Sequence, residues 1–167
     1  RYVRIAPLEE REWSRVWLEH FRPMRFGRRL WVRPGDQPVD QADAVIVDLD
    51  PGLAFGTGTH PTTALCLRWL DEQVLTENRV VDFGCGSGIL AIAALRLEAR
   101  HATAVDIDPQ ALRACAGNAG RNGVSDRIDI MLPGDLPAGT VDVLLANILA
   151  NPLIDLAVNL SARVRPG

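Results

Sequence analysis

Residues 81–88 read Val-Asp-Phe-Gly-Cys-Gly-Ser-Gly, and further along the chain reads Asp106-Ile-Asp-Pro. Gly84, Gly86 and Gly88 take side chains out of a strand-to-helix turn. A ligand can then lie against bare backbone and the N-terminus of the following helix. Asp106, at the tip of the next strand, suits the two ribose hydroxyls of a bound nucleoside. The dinucleotide fingerprint G-x-G-x-x-G is not met. Counted from Gly84, its third glycine falls on Ile89; counted from Gly86, only the looser alanine form is met, at Ala91. The spacing Gly84-x-Gly86-x-Gly88 fits S-adenosylmethionine, which has no pyrophosphate to cradle. The plain alternative is a tight turn in any α/β protein, since a lone glycine loop is weak evidence. Asp82 before the loop and Asp106 after it favour a methyltransferase.

A second unusual stretch, residues 52–63, reads Gly-Leu-Ala-Phe-Gly-Thr-Gly-Thr-His-Pro-Thr-Thr. It offers backbone donors, hydroxyls and one aromatic ring, Phe55, which suits closing over a small polar ligand. Its glycines and its lack of apolar periodicity predict mobility without ligand and ordering on cofactor binding. His60 is compatible with a base, a hydrogen-bond donor or a structural tie. Asn147-Ile-Leu-Ala follows an apolar strand, so Asn147 could present its amide to an incoming amine. Adenine-modifying methyltransferases carry Asn-Pro-Pro-Tyr or Asp-Pro-Pro-Tyr at such a place. No aromatic follows Asn147, so a flipped base would lack its stacking partner. Cys85, without a partnered His, reads as a small filler.

The elements that must hold these residues follow from periodicity. Trp13, Val16, Trp17 and His20 recur at helical spacing over residues 9–21. A basic, proline-bounded segment with a short strand at 29–32 comes next. Residues 1–40 read as a linker helix and entry segment; residues 41–167 read as an S-adenosylmethionine-binding methyltransferase domain. Strands are expected at 44–49, 79–83, 102–107, 127–132 and 141–146. Helices are expected from Pro61 to about residue 75, then at 89–97, 109–121 and 152–164. Thr59 is a candidate cap for the first of these helices, and Asp108 for the one starting at Pro109. Such alternation predicts an α/β, Rossmann-like fold, with a mainly parallel sheet and helices on both faces. Ligands on such sheets bind beyond the carboxyl ends of the strands, where Asp82, Gly84, Asp106 and Asn147 are all expected.

Composition narrows the class without naming it. The chain has 167 residues, 47% of them hydrophobic and 23% charged, with a net charge of −3. That is one domain's worth of core, and it argues against a broad nucleic-acid-binding surface. Cys66, Cys85 and Cys115 are odd in number and widely spaced. They suggest neither a disulfide framework nor a zinc site, so no metal and a cytoplasmic location are expected. No apolar run approaches the ~18 residues of a membrane span. The chain begins at Arg1 and ends in Arg-Pro-Gly, which reads as a piece of something longer.

The 55–63 loop, the Gly-Cys-Gly-Ser-Gly loop, Asp106-Ile-Asp-Pro and Asn147-Ile-Leu-Ala, in this order, resemble the PrmA family. These are bacterial methyltransferases of the stalk protein of the large ribosomal subunit. Pro23-Met-Arg-Phe-Gly and Asn122-Gly-Val-Ser also look like that family, and the resemblance covers nearly the whole chain. It implies N-methylation of amino groups, lysine side chains or an N-terminal amine, of a ribosomal protein, with no direct nucleic-acid partner and no membrane. It further implies that Thr63, Gly84, Asp106 and Asn147 bind S-adenosylmethionine, with Phe55, Thr59 and His60 beside them. Gly86 and Gly88 join this set through the loop, and Asn147 doubles as the residue that positions the acceptor. The family also implies an N-terminal recognition domain, and further strands after residue 167. Two alternatives stand beside this reading: a same-fold enzyme with a small-molecule or nucleic-acid acceptor, and a cofactor-binding fragment without activity.

Overall fold

The structure, a computed structural model, describes residues 22–50 and 60–166. The helix expected over 9–21 and the loop positions Phe55 and Thr59 lie outside these residues. Four parallel strands form the main sheet: β4 (Arg79–Phe83), β5 (His101–Val105), β6 (Ile128–Met131) and β7 (Val143–Leu145). Their order is β6-β5-β4-β7. Val80, Val81 and Asp82 of β4 are buried in succession, the mark of a central parallel strand covered on both faces. From β4 the chain winds outward to β5 and β6, then returns to β7 on the opposite side of β4. Such a reversal opens a crevice at the carboxyl ends of the two strands that flank it.

Three further strands, β1 (Met24–Phe26), β2 (Leu30–Arg33) and β3 (Val45–Asp48), make a separate sheet in that order. β1 and β2 are antiparallel, whereas β2 and β3 are parallel. The strand expected over 44–49 thus forms as β3 but does not join the main sheet. Its parallel partner is β2, and the helix Ile89–Arg96 packs between it and the main sheet. β1 was not expected, because three residues in a basic segment show no readable alternation. The β2–β3 ladder also crosses residue 40, the boundary expected between entry segment and domain.

Four α-helices lie among the described residues, α1 (Pro61–Glu72), α2 (Ile89–Arg96), α3 (Pro109–Arg121) and α4 (Ala150–Ser161), with two single 3-10 turns at Ser125–Arg127 and Pro133–Asp135. Seven consecutive residues of α2, Ile89 to Leu95, are buried. A helix apolar all round must be covered all round, and α2 packs against β3 of the small sheet, β4 and β5 of the main one, α1 and α3. It is the core joining the two sheets. α3 buries Ala111, Cys115, Asn118 and Ala119, one face at helical spacing. α1 is tied to the small sheet by Asp71, whose buried carboxylate accepts the backbone N–H groups of Arg28, Arg29 and Leu30. α4 starts two residues before the expected position and places Pro152 in its first turn, where a missing N–H is harmless. It ends at Ser161 because residues 163–165 run beside Val141, bonded through Val141 N to Arg163 O at 2.8 Å and Arg165 N to Val141 O at 3.0 Å.

Candidate functional site

β4 ends at Phe83, and the glycine loop turns directly out of the sheet. Gly84 N and Cys85 N both donate to Val105 O, at 2.7 and 3.0 Å, and so bind the loop to the end of β5. Gly88 N closes the turn on Cys85 O at 2.8 Å. Gly88 is the N-cap of α2 and has no side chain to cap it. Asp82 supplies the cap from the strand below: its Oδ2 accepts from Ala91 N at 3.1 Å. Its other oxygen, Oδ1, is buried without a hydrogen-bond partner among the described residues. Burial pushes the Asp82 carboxyl up to about 7; the Ala91 N–H opposes the rise and the neighbouring Asp106 adds to it. An acid within the otherwise apolar run Val80-Val81-Asp82-Phe83 was the sequence signal for this group.

Asp106 follows β5 directly. Its Oδ2 accepts from Gly86 N at 2.9 Å and its Oδ1 from Asp108 N at 3.0 Å. One carboxylate thus holds the glycine loop to the start of α3 and keeps lone pairs for further donors. Asp108 caps α3 by accepting from Gln110 N at 2.8 Å, as the spacing predicts. At the start of α1 the cap differs from expectation. His60, not Thr59, is the N-cap residue, with Nδ1 accepting from Thr62 N at 3.3 Å and lying 2.7 Å from Thr62 Oγ1. Proline at N1 puts the cap one residue before it, and the imidazole reaches the second N–H of the helix. Of the three readings open for His60, the structural tie is the one seen.

On the far side of β4, the chain leaving β7 places Asn147 against α1. Asn147 Nδ2 donates to Thr63 Oγ1 at 2.9 Å. Thr63 is buried, so this bond joins two expected site residues that lie far apart in sequence. Ile148 packs on the glycine loop: Gly84 has φ +79°, and a Cβ there would overlap Ile148 Cγ2. Sequence reasoning missed Ile148, since an aliphatic residue in an Asn-Ile-Leu-Ala run carries no chemical signal. Thr63, Gly84 and Asn147 therefore meet at the β4–β7 crevice, with Asp82 beneath and Gly86–Asp106 on the β5 side.

Gly88 and Cys85 both lie against Cys115 of α3. A Cβ on Gly88, φ +78°, would overlap Cys115 Sγ of α3. The missing side chain at Gly88 serves the packing of the loop on α3. Cys85 is buried, and its thiol is pushed up by its hydrogen bond with Cys115 and by burial, so it stays protonated as a filler. Gly88→Ala is therefore expected to cost about 1–3 kcal/mol of unfolding free energy through overpacking and left-handed strain. Denaturant titration measures this, and an unchanged midpoint would contradict the packing role.

A family model described as "Ribosomal protein L11 methyltransferase (PrmA)" matches residues 1–167. The ribosomal protein L11 methyltransferase of Pseudomonas paraeruginosa is 58% identical over 164 residues, covering 98% of this chain and 56% of that protein. The one from Methylococcus capsulatus is 61% identical over 160 residues, covering 96% of this chain and 55% of its own. The chain thus spans about half the length of these relatives. The crystal structure of ribosomal protein L11 methylase from Lactobacillus delbrueckii subsp. bulgaricus superposes with TM-score 0.77 at 36% identity, covering 87% of this chain and 76% of that one. An RNA methyltransferase from Salinibacter ruber, in complex with S-adenosyl-L-homocysteine, shares the fold at TM-score 0.55 and 23% identity, covering 62% of this chain and 69% of that one. With an α/β parallel sheet, a glycine loop closed by Asp106 and matches of this extent, the chain belongs to the ribosomal protein L11 methyltransferase (PrmA) family.

Proposed function

We propose that this chain carries the S-adenosylmethionine site of a protein N-methyltransferase whose substrate is a ribosomal protein, the stalk protein of the large subunit. The observation that carries the reading is the meeting of Thr63, Gly84 and Asn147 at the β4–β7 crevice, beside Asp106 and Asp82, whose Oδ1 has no hydrogen-bond partner among the described residues. These residues suit the group. Asp106 has lone pairs left for ribose hydroxyls, and Gly84 presents bare backbone. A cation in the crevice favours the ionised form of Asp82, whose carboxylate otherwise sits buried and half-satisfied. S-adenosylmethionine supplies an electrophilic methyl group on a sulfonium.

The chain's own part is to bind, orient and keep the acceptor neutral. A lysine of ordinary pKa ~10.4 costs roughly 4.6 kcal/mol to deprotonate at pH 7, and an α-amine of ~7.7–8.0 far less. Excluding water lowers that cost without a dedicated base. Asn147 holds a carboxamide where an amine would arrive, kept in place by Thr63. The place after it is filled by Ile148, an aliphatic residue packed on Gly84, which gives a flipped base no stacking surface. That favours an amine of a protein over a nucleobase. No helix among the described residues is long and apolar enough to cross a membrane. The reading puts the reaction in the cytoplasm, with no direct nucleic-acid contact required.

The test is to incubate the protein with methyl-labelled cofactor and a mixture of ribosomal proteins, then locate the label by mass spectrometry. Label on amino groups of the stalk protein is the expected result; label on RNA, or none, overturns the reading. Asn147→Ala is expected to lower methyl transfer more than cofactor affinity. The measurement is turnover beside calorimetric affinity. Unchanged turnover with poor cofactor binding would move Asn147 to the cofactor side.

A further inference from the structure

Among the described residues no strand pairs with the outer edge of β3, and side chains from two helices bond along it. Arg96 Nε of α2 donates to Ile46 O at 3.0 Å. Two residues on, Asp48 donates its N–H to Asn122 Oδ1 at 2.8 Å and accepts from Asn122 Nδ2 at 2.7 Å. Two residues further, Asp50 N donates to Asn118 Oδ1 at 2.9 Å. Asn118 lies on α3 and Asn122 one turn further, at its C-cap, and both are buried. Their other bonds differ. Asn122 Nδ2 also donates to Asn118 O, within its own helix, at 2.8 Å. Asn118 Nδ2 reaches across to Ser87 O, inside the glycine loop, at 2.9 Å.

Asp50 stands directly before the segment that leads to His60 and Thr63, and Ser87 lies between Gly86 and Gly88. We infer that Asn118 is a positioning residue for the cofactor site, a buried carboxamide that fixes Asp50, just past β3, to the glycine loop at Ser87. This rests on the cofactor reading proposed above. A carboxamide suits the place because one planar group offers an acceptor to the Asp50 N–H and a donor to the Ser87 carbonyl. A carboxylate would turn a second acceptor on the Ser87 oxygen; an aliphatic side chain would offer neither. Asn118 does not reach the crevice itself. It acts by holding Ser87, the neighbour of the Gly86 that Asp106 engages, against Asp50 at the end of β3. Asn122 makes a matched control, since it ties β3 to α3 without touching the glycine loop.

The experiment compares calorimetric affinity for S-adenosylhomocysteine with thermal stability in the parent, Asn118→Ala, Asn118→Asp and Asn122→Ala. Both Asn118 variants are expected to bind about tenfold more weakly, the worth of one good hydrogen bond. Asn122→Ala is expected to lose stability while its affinity stays within about twofold of the parent. An Asn118→Ala protein with parental affinity overturns the inference, as does affinity that falls in step with stability in the Asn122 variant. If the Asn118 variants do not fold, amide exchange of Asp50 in the parent decides. Slower exchange with S-adenosylhomocysteine present supports the coupling, and unchanged exchange overturns it. A parent that does not bind S-adenosylhomocysteine overturns the cofactor reading itself, which is a distinct outcome.

Discussion

Asp106→Ala is expected to weaken binding of S-adenosylmethionine and its demethylated product at least about tenfold, the largest loss of any single change in the crevice. A hydrogen bond to a charged acceptor contributes ~1.5–3 kcal/mol, and each ~1.4 kcal/mol is a factor of ten. Two ribose hydroxyls would lose that acceptor together. The structure adds a second source of loss. Asp106 also accepts from Gly86 N and Asp108 N, so the substitution frees the glycine loop from the start of α3. Asp106→Asn separates the two contributions, because an amide oxygen can keep one of those N–H bonds but lacks the charge. Its affinity should fall between parent and alanine variant. Calorimetry giving equal affinity in parent and Asp106→Ala would remove Asp106 from the site.

Asp82→Asn is expected to make the protein more stable at pH 8 and leave it little changed near pH 4. The ordinary aspartate value is 3.8, and burial raises that of Asp82 to about 7 in the folded protein. A carboxyl whose folded value is raised contributes its stability below the unfolded value and loses it as pH climbs through the folded one. From pH 3.8 to 7 the folded state must therefore either hold the proton or bear a buried charge. A gap of about three pH units sets a ceiling of about 4 kcal/mol on the gain from removing the charge. The asparagine keeps an acceptor for Ala91 N but puts an NH2 group where Oδ1 lacked a partner, so a net gain of about 1–3 kcal/mol is expected at pH 8. Urea unfolding at the two pH values measures it; a gain that does not depend on pH would contradict the assignment. Asp82 also links proton and ligand. Near pH 7, binding a sulfonium in the crevice should release protons in the parent and not in Asp82→Asn, measurable by calorimetry in buffers of different ionisation enthalpy.

Much of the candidate site was legible in the chain because the residue types that propose it are local. Glycines out of a strand, an acid at the next strand tip and an asparagine after a third apolar run each need only their own neighbours to be recognised. The periodicity located β4, β5, α2 and α3 to within a residue or two, since long apolar or amphipathic runs state their burial directly. Asp108 as a cap followed from its place before Pro109.

What the tertiary structure alone decided is which distant groups meet. No local pattern says that Asn147 donates to Thr63, that Ile148 lies over Gly84, or that the bare face of Gly88 meets Cys115. β3 was expected in the main sheet because a short apolar strand carries no label for its partner. In the structure it pairs with β2 instead. The cap of α1 passed to His60 because a ring nitrogen can reach an N–H that the sequence rules assign to a hydroxyl or carboxylate. Asp82 was visible as an acid before the loop, but its buried, half-satisfied state depends on α2, the glycine loop and Asp106 closing around it. Residue types state which chemistry is available; packing at the reversal between β4 and β7 determines which of those groups share one crevice.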